Sequence, residues 1–230
     1  MDRDVDIAPV AALLGDPARA AMIGVLHDRR ALPAGELARR AGIAPSTASE
    51  HLSRLVDGGL LAVERAGRHR YFRLAGTQVA QAVEALAAIS PRRPVRSLRE
   101  ADTASALAEA RTCYDHLAGR LGVAVTEALL AQEALVEREG EFAPGRRAPS
   151  VFGELGIDLG VVQAKRRPFA LRCLDWSERR PHVAGTLGAA LAGRALEAGW
   201  VERHPSSRAL HVTPAGRAAL HATLGVELGR

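Results

Sequence analysis

The strongest periodic pattern in the chain runs from Pro45 to Asp57, where Ala48, Leu52, Leu55 and Val56 recur at three- and four-residue spacing and so line one stripe of a helix. Off that stripe stand Ser46, Thr47, Ser49, Glu50, His51, Ser53 and Arg54, polar groups suited to phosphates or base edges if the helix enters a major groove. Pro45 suits a first helical position, where a missing N–H costs nothing, and Gly58-Gly59 stops the helix. Just upstream, Glu36 to Ala41 reads as a shorter helix turning Leu37, Ala38 and Ala41 to the same core, with Gly42 in the tight turn and Ile43 on its inner side. Downstream, Leu60, Leu61 and Val63 give one strand and Tyr71, Phe72 and Leu74 a second, with Arg65, Gly67, Arg68, His69 and Arg70 between them. The pattern predicts a helix-turn-helix followed by a hairpin with a cationic tip, an arrangement that points to DNA.

The flanks predict more helices. Residues 5–14 and 16–27 form two, the second capped by Asp16 with Pro17 at its first position and Ala21, Met22, Val25 and Leu26 facing inward. Thr77 to Ile89 forms another, and the stretch Ser90 to Arg99, with two prolines and four arginines, reads as a basic linker. From Glu100 to Glu139 the pattern is helical in two segments with a break near Gly122. Farther on, Gly199 to Gly216 repeats the shape of Gly59 to Gly76: a glycine, apolar-Glu-Arg, a polar tip, an apolar strand and Ala-Gly. Helices over Val183–Ala198 and Pro214–Leu224 would complete a second winged-helix-like unit, although the first of them offers few groups for reading DNA apart from Arg194. A fainter echo links Glu141 to Gly156 with Leu210 to Gly225.

Several of these segments together resemble the winged-helix repressors of the arsenic-repressor (ArsR) family. They are Leu13-Leu14-Gly15-Asp16-Pro17-Ala18-Arg19, Glu36-Leu37-Ala38, Ser49-Glu50-His51-Leu52-Ser53-Arg54-Leu55, Gly58-Gly59-Leu60-Leu61, and Gly67-Arg68 leading to Tyr71. The resemblance covers the first third of the chain, to Leu74 or, with the next helix, Ile89; ordinary members of the family stop before the C-terminal part. It implies a homodimer paired through the first and last helices of the winged unit, two reading helices one DNA turn apart, and a palindromic operator. The family's metal sensors carry cysteines at the start of the reading motif, or acid and histidine ligands on the last helix. Glu36 to Gly42 and Thr77 to Ile89 hold no cysteine or histidine, so those sites do not carry over.

Composition narrows the setting. At 230 residues, 47% hydrophobic and 25% charged, the chain has room for one large or two small cores. A net charge of +5 suits an anionic partner, but residues 1–90 are close to neutral, so the excess falls later in the sequence. There is no membrane-length apolar run and no secretory leader, which predicts a cytoplasmic protein with no membrane partner. Cys113 and Cys173 are too few for a disulfide framework.

Those two cysteines are the main candidate chemistry. Cys113 and His116, three apart in a stretch read as helix, would share a face, and Cys173, Asp175 and His182 lie in RCLDWSERRPH. Two thiolates and two imidazoles would hold a tetrahedral metal if the segments met; a redox-sensitive thiol and plain packing are the other readings, and no metal or cofactor is assigned. Trp176, Arg179 and Arg180 could form an effector pocket with a stacking wall and an anion clamp, or simply pair and pack. No phosphate loop, nucleophile elbow or His-Glu-x-x-His motif supports an enzyme.

The expected architecture is mainly α with short β-hairpins. It has a winged helix-turn-helix over 1–90, a linker over 91–100, and a helical, winged-helix-like domain over 101–230 that could respond to a small molecule or metal. The expected function is regulation of transcription, as a repressor, by a homodimer on double-stranded DNA. The alternative is an interaction or dimerisation module on the same scaffold that does not bind DNA.

Overall fold

The computed structural model describes residues 5–27, 30–91, 94, 97–205 and 207–229. The chain divides into two compact units, Met1–Val83 and Glu84–Arg230, each with its own core. Arg92, Arg93, Val95 and Arg96 of the expected linker lie outside the described residues.

In the first unit, α1 (Ala8–Leu14) and α2 (Pro17–Val25) meet at Asp16, whose carboxylate accepts the Arg19 N–H at 2.9 Å and caps α2. A short β1 (Leu32–Pro33) leads into α3 (Ala34–Ala41), Gly42 turns the chain at a φ of 68°, and α4 (Pro45–Asp57) follows over the range its spacing predicts. Met22, Ile23 and Leu26 pack with Leu37, Ala38, Ala48, Leu52 and Leu55, so the three helices share one core. The wing is β2 (Leu61–Ala66) with β3 (His69–Leu74), and β1 adds a third antiparallel strand that the sequence did not announce, pairing Leu32 with Phe72. The unit boundary falls within α5 (Thr77–Ile89), not after it.

In the second unit, after the end of α5, comes α6 (Leu98–Glu109), capped by Ser97, so the expected linker gives way to helix before residue 100. The expected helix from there to Glu139 is interrupted, but not at Gly122, which lies buried inside a continuous helix. A hairpin of β4 (Arg111–Cys113) and β5 (His116–Ala118) interrupts it, followed by α7 (Gly119–Ala131) and a second hairpin, β6 (Leu135–Arg138) with β7 (Glu141–Pro144). Cys113 and His116 are therefore not helical neighbours sharing a face; they are directly opposed across two strands. Tyr114, at a φ of 59°, makes the turn without glycine or proline, and this removed the usual warning from the sequence.

After α8 (Ala148–Glu154) and α9 (Leu159–Gln163) the same order returns: β8 (Arg172–Leu174) with β9 (Pro181–Val183), α10 (Gly185–Glu197), β10 (Val201–Arg203) with β11 (Leu210–Val212), and α11 (Pro214–Leu224). The second winged-helix-like element is thus present over α10 to α11, and it is one of two copies of hairpin, helix, hairpin, helix. His116 and His182 are separated by 66 residues, and the same offset carries Gly119 to Gly185 (φ 75° and 78°) and Leu135 to Val201. The copies pack reciprocally, α7 on β9 and α10 on β5. Leu121, Leu129, Phe152, Leu187 and Ala195 lie in the core they share.

Candidate nucleic-acid interface and a buried thiol-imidazole cluster

With Ala48, Leu52 and Leu55 buried, α4 turns Ser46, Thr47, Ser49, Glu50, Ser53 and Arg54 to solvent. Arg54 donates to Glu50 at 2.6 Å along this face, and both side chains are more than half exposed, so the guanidinium is held over the helix surface and can exchange partners there. Ser49 bonds back to the Pro45 carbonyl at 3.0 Å. His51 differs from the others. It is half-buried, with Nδ1 3.3 Å from Arg19, a buried arginine that also donates to the Leu13 carbonyl at 2.7 Å and the Ala12 carbonyl at 2.9 Å. His51 thereby ties α4 to the α1–α2 corner.

Arg65, Arg68, His69 and Arg70 are all exposed at the hairpin tip, where Gly67 takes a φ of 58° at the first turn position. Arg65 and Arg70 are directly opposed across the strands. Like charges so placed repel, and an anion lying along the tip would turn that cost into attraction. Farther from the tip, Arg73 pairs with Glu64 and Arg70 lies 5.3 Å from the Phe72 ring, which steadies the strands.

Trp176, Arg179 and Arg180, the residues expected to line an effector pocket, lie in the segment that joins β8 to β9. Trp176 is covered by the Arg111 guanidinium at 4.5 Å, Arg180 pairs with Glu127, and Arg179 sits exposed in the turn at a φ of 56°. Asp175 organises this region: Oδ1 accepts from the Ser177 and Glu178 N–H groups, and Oδ2 accepts from the Gly119 N–H at 2.7 Å and pairs with buried Arg111 at 2.9 Å. Burial opposes its ionisation, yet His182, Arg111 and Ser177 hold the carboxyl far below the ordinary carboxylate range.

The two cysteines and two histidines named from the sequence do meet. Cys113 opposes His116 across one hairpin and Cys173 opposes His182 across the other, all four buried, with their ligand atoms within 4.8 Å of one another. The sulfurs lie 3.8 Å apart and the two Nε2 atoms 3.1 Å apart. Behind each imidazole stands a carboxylate, Asp115 at 3.2 Å from Nδ1 of His116 and Asp175 at 3.3 Å from Nδ1 of His182. Burial works against charging His182, but Asp175 and Cys113 outweigh it and raise its pKa to about 9. Burial also opposes ionisation of Asp115, and His116 and Arg167 override it and lower the pKa. The sequence reasoning missed Asp115 and Arg111, although Cys-x-Asp occurs at both 113–115 and 173–175.

A family model described as a helix-turn-helix domain matches residues 14–64. Over 223 residues the chain is 44% identical to YdfF of Bacillus subtilis (strain 168), an HTH-type transcriptional regulator, with 97% of this chain and 99% of that protein covered. Among solved structures it is similar to NolR from Sinorhizobium fredii at 26% identity and a TM-score of 0.33, over 36% of this chain and 81% of NolR. It is also similar to the transcriptional repressor BigR from Xylella fastidiosa at 28% identity and a TM-score of 0.34, over 38% of this chain and 88% of BigR.

Proposed function

Because the chain belongs to the helix-turn-helix regulators of transcription, and its N-terminal motifs resemble those of the ArsR family, we propose that it represses by binding a palindromic operator as a homodimer, α4 in the major groove and the β2–β3 tip on the adjoining backbone. The observation that carries the reading is the division of labour on α4: buried Ala48, Leu52 and Leu55 fix the helix, and Ser46, Thr47, Ser49, Glu50, Ser53 and Arg54 are left facing outward. Arg54 reads a base edge after leaving Glu50, the hydroxyls bond phosphates or bases, and Arg65, Arg68, His69 and Arg70 bind the backbone without regard to sequence. His51 positions the helix through Arg19 and reads nothing. The second winged element contributes no reading surface, since α10 buries Leu187, Leu191, Ala192 and Ala195 and serves the core. The C-terminal unit is the proposed regulatory part.

Fluorescence anisotropy with labelled DNA from upstream of the protein's own gene, at two salt concentrations, tests the assignment. Arg54→Ala should narrow the gap between operator and unrelated DNA by about 1–3 kcal/mol. Arg68→Ala should weaken all duplexes alike and reduce the slope of log affinity against log salt by about one. If Arg54→Ala loses affinity uniformly and Arg68→Ala loses discrimination, the roles are misassigned; if wild type binds no duplex at low salt, the reading fails.

A further inference from the structure

The four-residue cluster in the C-terminal unit stands apart from DNA reading, and its geometry is that of a metal site. We propose that Cys113, His116, Cys173 and His182 bind one zinc ion in a closed tetrahedral site that joins the two repeats of this unit. Tetrahedral zinc at roughly 2.3 Å from sulfur and 2.0–2.1 Å from nitrogen sets its two sulfurs about 3.8 Å apart and its two nitrogens about 3.3 Å apart. The observed separations are 3.8 Å for the sulfurs and 3.1 Å for the Nε2 atoms, and all four ligand atoms lie within 4.8 Å of one another. A cation at their centre would draw the sulfur–nitrogen pairs, which lie within 4.8 Å, in to complete the tetrahedron.

The surroundings are built for the ion as well. Each histidine has a carboxylate at Nδ1, Asp115 behind His116 and Asp175 behind His182, which directs both Nε2 atoms to the centre; carboxylate, histidine and zinc commonly stand in this order. Each carboxylate is itself matched by an arginine, Arg167 at 2.6 Å from Asp115 and Arg111 at 2.9 Å from Asp175. A dication with two thiolates and two neutral imidazoles adds no net charge to the interior, and binding releases whatever protons the four ligand atoms carry beforehand. The rest of the lining is small: Ala118 and Ala184 pack against the cysteines, and Gly122 and Gly188 lie beside His182 and His116. With every ligand at 7% exposure or less, four protein donors fill the coordination sphere, the pattern of a structural centre with no open catalytic position.

The repeat explains why such a site arises here. Each copy supplies Cys-x-Asp and then a histidine on the opposite strand, and each then passes through Ala-Gly into its helix, as His116-Leu117-Ala118-Gly119 and His182-Val183-Ala184-Gly185. Half a site per copy, brought together by the reciprocal packing of α7 on β9 and α10 on β5, makes one whole site. The ion therefore clamps cysteines 60 positions apart and histidines 66 apart, where closing the long chain between them costs entropy.

The test needs no DNA and is independent of the repressor reading. The full-length chain, purified without metal-affinity steps or chelators, is analysed for metal by mass spectrometry, and the metal-stripped protein is titrated with cobalt(II). Expected are one zinc per chain and, at one equivalent of cobalt, the strong visible absorption of a tetrahedral ion with a thiolate charge-transfer band. Cys113→Ser combined with Cys173→Ser should abolish both. Asp115→Asn, which keeps all four ligands, should weaken zinc binding 10- to 100-fold in a chelator competition. A wild-type chain that carries far less than one zinc and gives no tetrahedral cobalt spectrum overturns the proposal, whether or not the variants fold. Full zinc retained by the double cysteine variant, or a Cys113–Cys173 disulfide formed in zinc-replete aerobic buffer, overturns it equally.

Discussion

Arg19 shows how one side chain sets the frame for reading DNA. Its guanidinium closes the carbonyl end of α1 through Ala12 and Leu13 and reaches His51 on α4, and its own backbone N–H is taken by Asp16. Asp16 accordingly has its pKa lowered from 3.8, first by the hydrogen bond from the Arg19 backbone and then, against an opposing effect of burial, by the Arg19 charge. A carboxyl with a depressed folded pKa contributes stability that is complete above its unfolded value and fades as pH falls through the folded one. Asp16→Asn keeps an acceptor at the cap but drops the charge. The variant should therefore be less stable than wild type near neutral pH, and the gap in urea midpoint should close as the pH is taken below 3.8. A gap that stays constant down to that range would show that the carboxylate charge contributes nothing.

At the scale of elements, the repeats are held by contacts that leave no room for a side chain. A Cβ on Gly188 would lie 2.4 Å from the Val183 carbonyl oxygen and 3.0 Å from Cβ of His116; on Gly122 it would lie 2.4 Å from the Leu117 carbonyl oxygen. Gly188→Ala should cost about 1–3 kcal/mol by forcing α10 away from its hairpin. Gly193→Ala on the same helix, where nothing lies within 4 Å, should stabilise by about 0.4–1 kcal/mol through the unfolded chain. Urea midpoints of the two variants measure the contrast, and equal effects would refute the role given to Gly188. These glycines also mark what the sequence revealed and what it hid. The N-terminal unit was legible because Pro45, the apolar stripe of α4 and Gly58 are local signals, complete within a few turns. The hairpin over Arg111–Ala118 was not, because its turn uses Tyr114 and its strands are three residues long, too short for alternation to emerge. The motif His-x-Ala-Gly-x-Leu-Gly at 116–122 and 182–188 would have revealed both repeats, but the wing-like segments that follow drew the comparison instead. The outward face of α4 could be written down from one helix alone, whereas the cysteine-histidine cluster depends on strand pairing and on packing between segments 60 residues apart, which spacing does not encode.

For the whole molecule, the proposed operator binding depends on two copies of the chain. α1 buries none of its residues, and the apolar Val5, Ile7 and Val10 at its start are 71%, 57% and 40% exposed. Leu86 and Ile89 in the last turns of α5 are 43% and 82% exposed. Apolar side chains left in water at the start of α1 cost free energy that a partner surface recovers, at about 25 cal/mol per Å² covered. A two-fold axis through such a contact would repeat α4 at a fixed spacing, and the second α4 would then bind as part of one molecule at a high effective concentration. Ile7→Glu combined with Val10→Glu places charges on the exposed apolar residues at the start of α1 and leaves the buried cores untouched, so the variant should fold and sediment as a monomer. Its affinity for a palindromic operator should fall by about 100-fold or more, while its affinity for a single half-site stays near that of one wild-type reading unit. Sedimentation velocity and anisotropy on whole-site and half-site duplexes measure both quantities. A variant that remains dimeric would move the interface elsewhere on the chain, and a monomer that binds the full operator as tightly as wild type would remove the dimer from the mechanism.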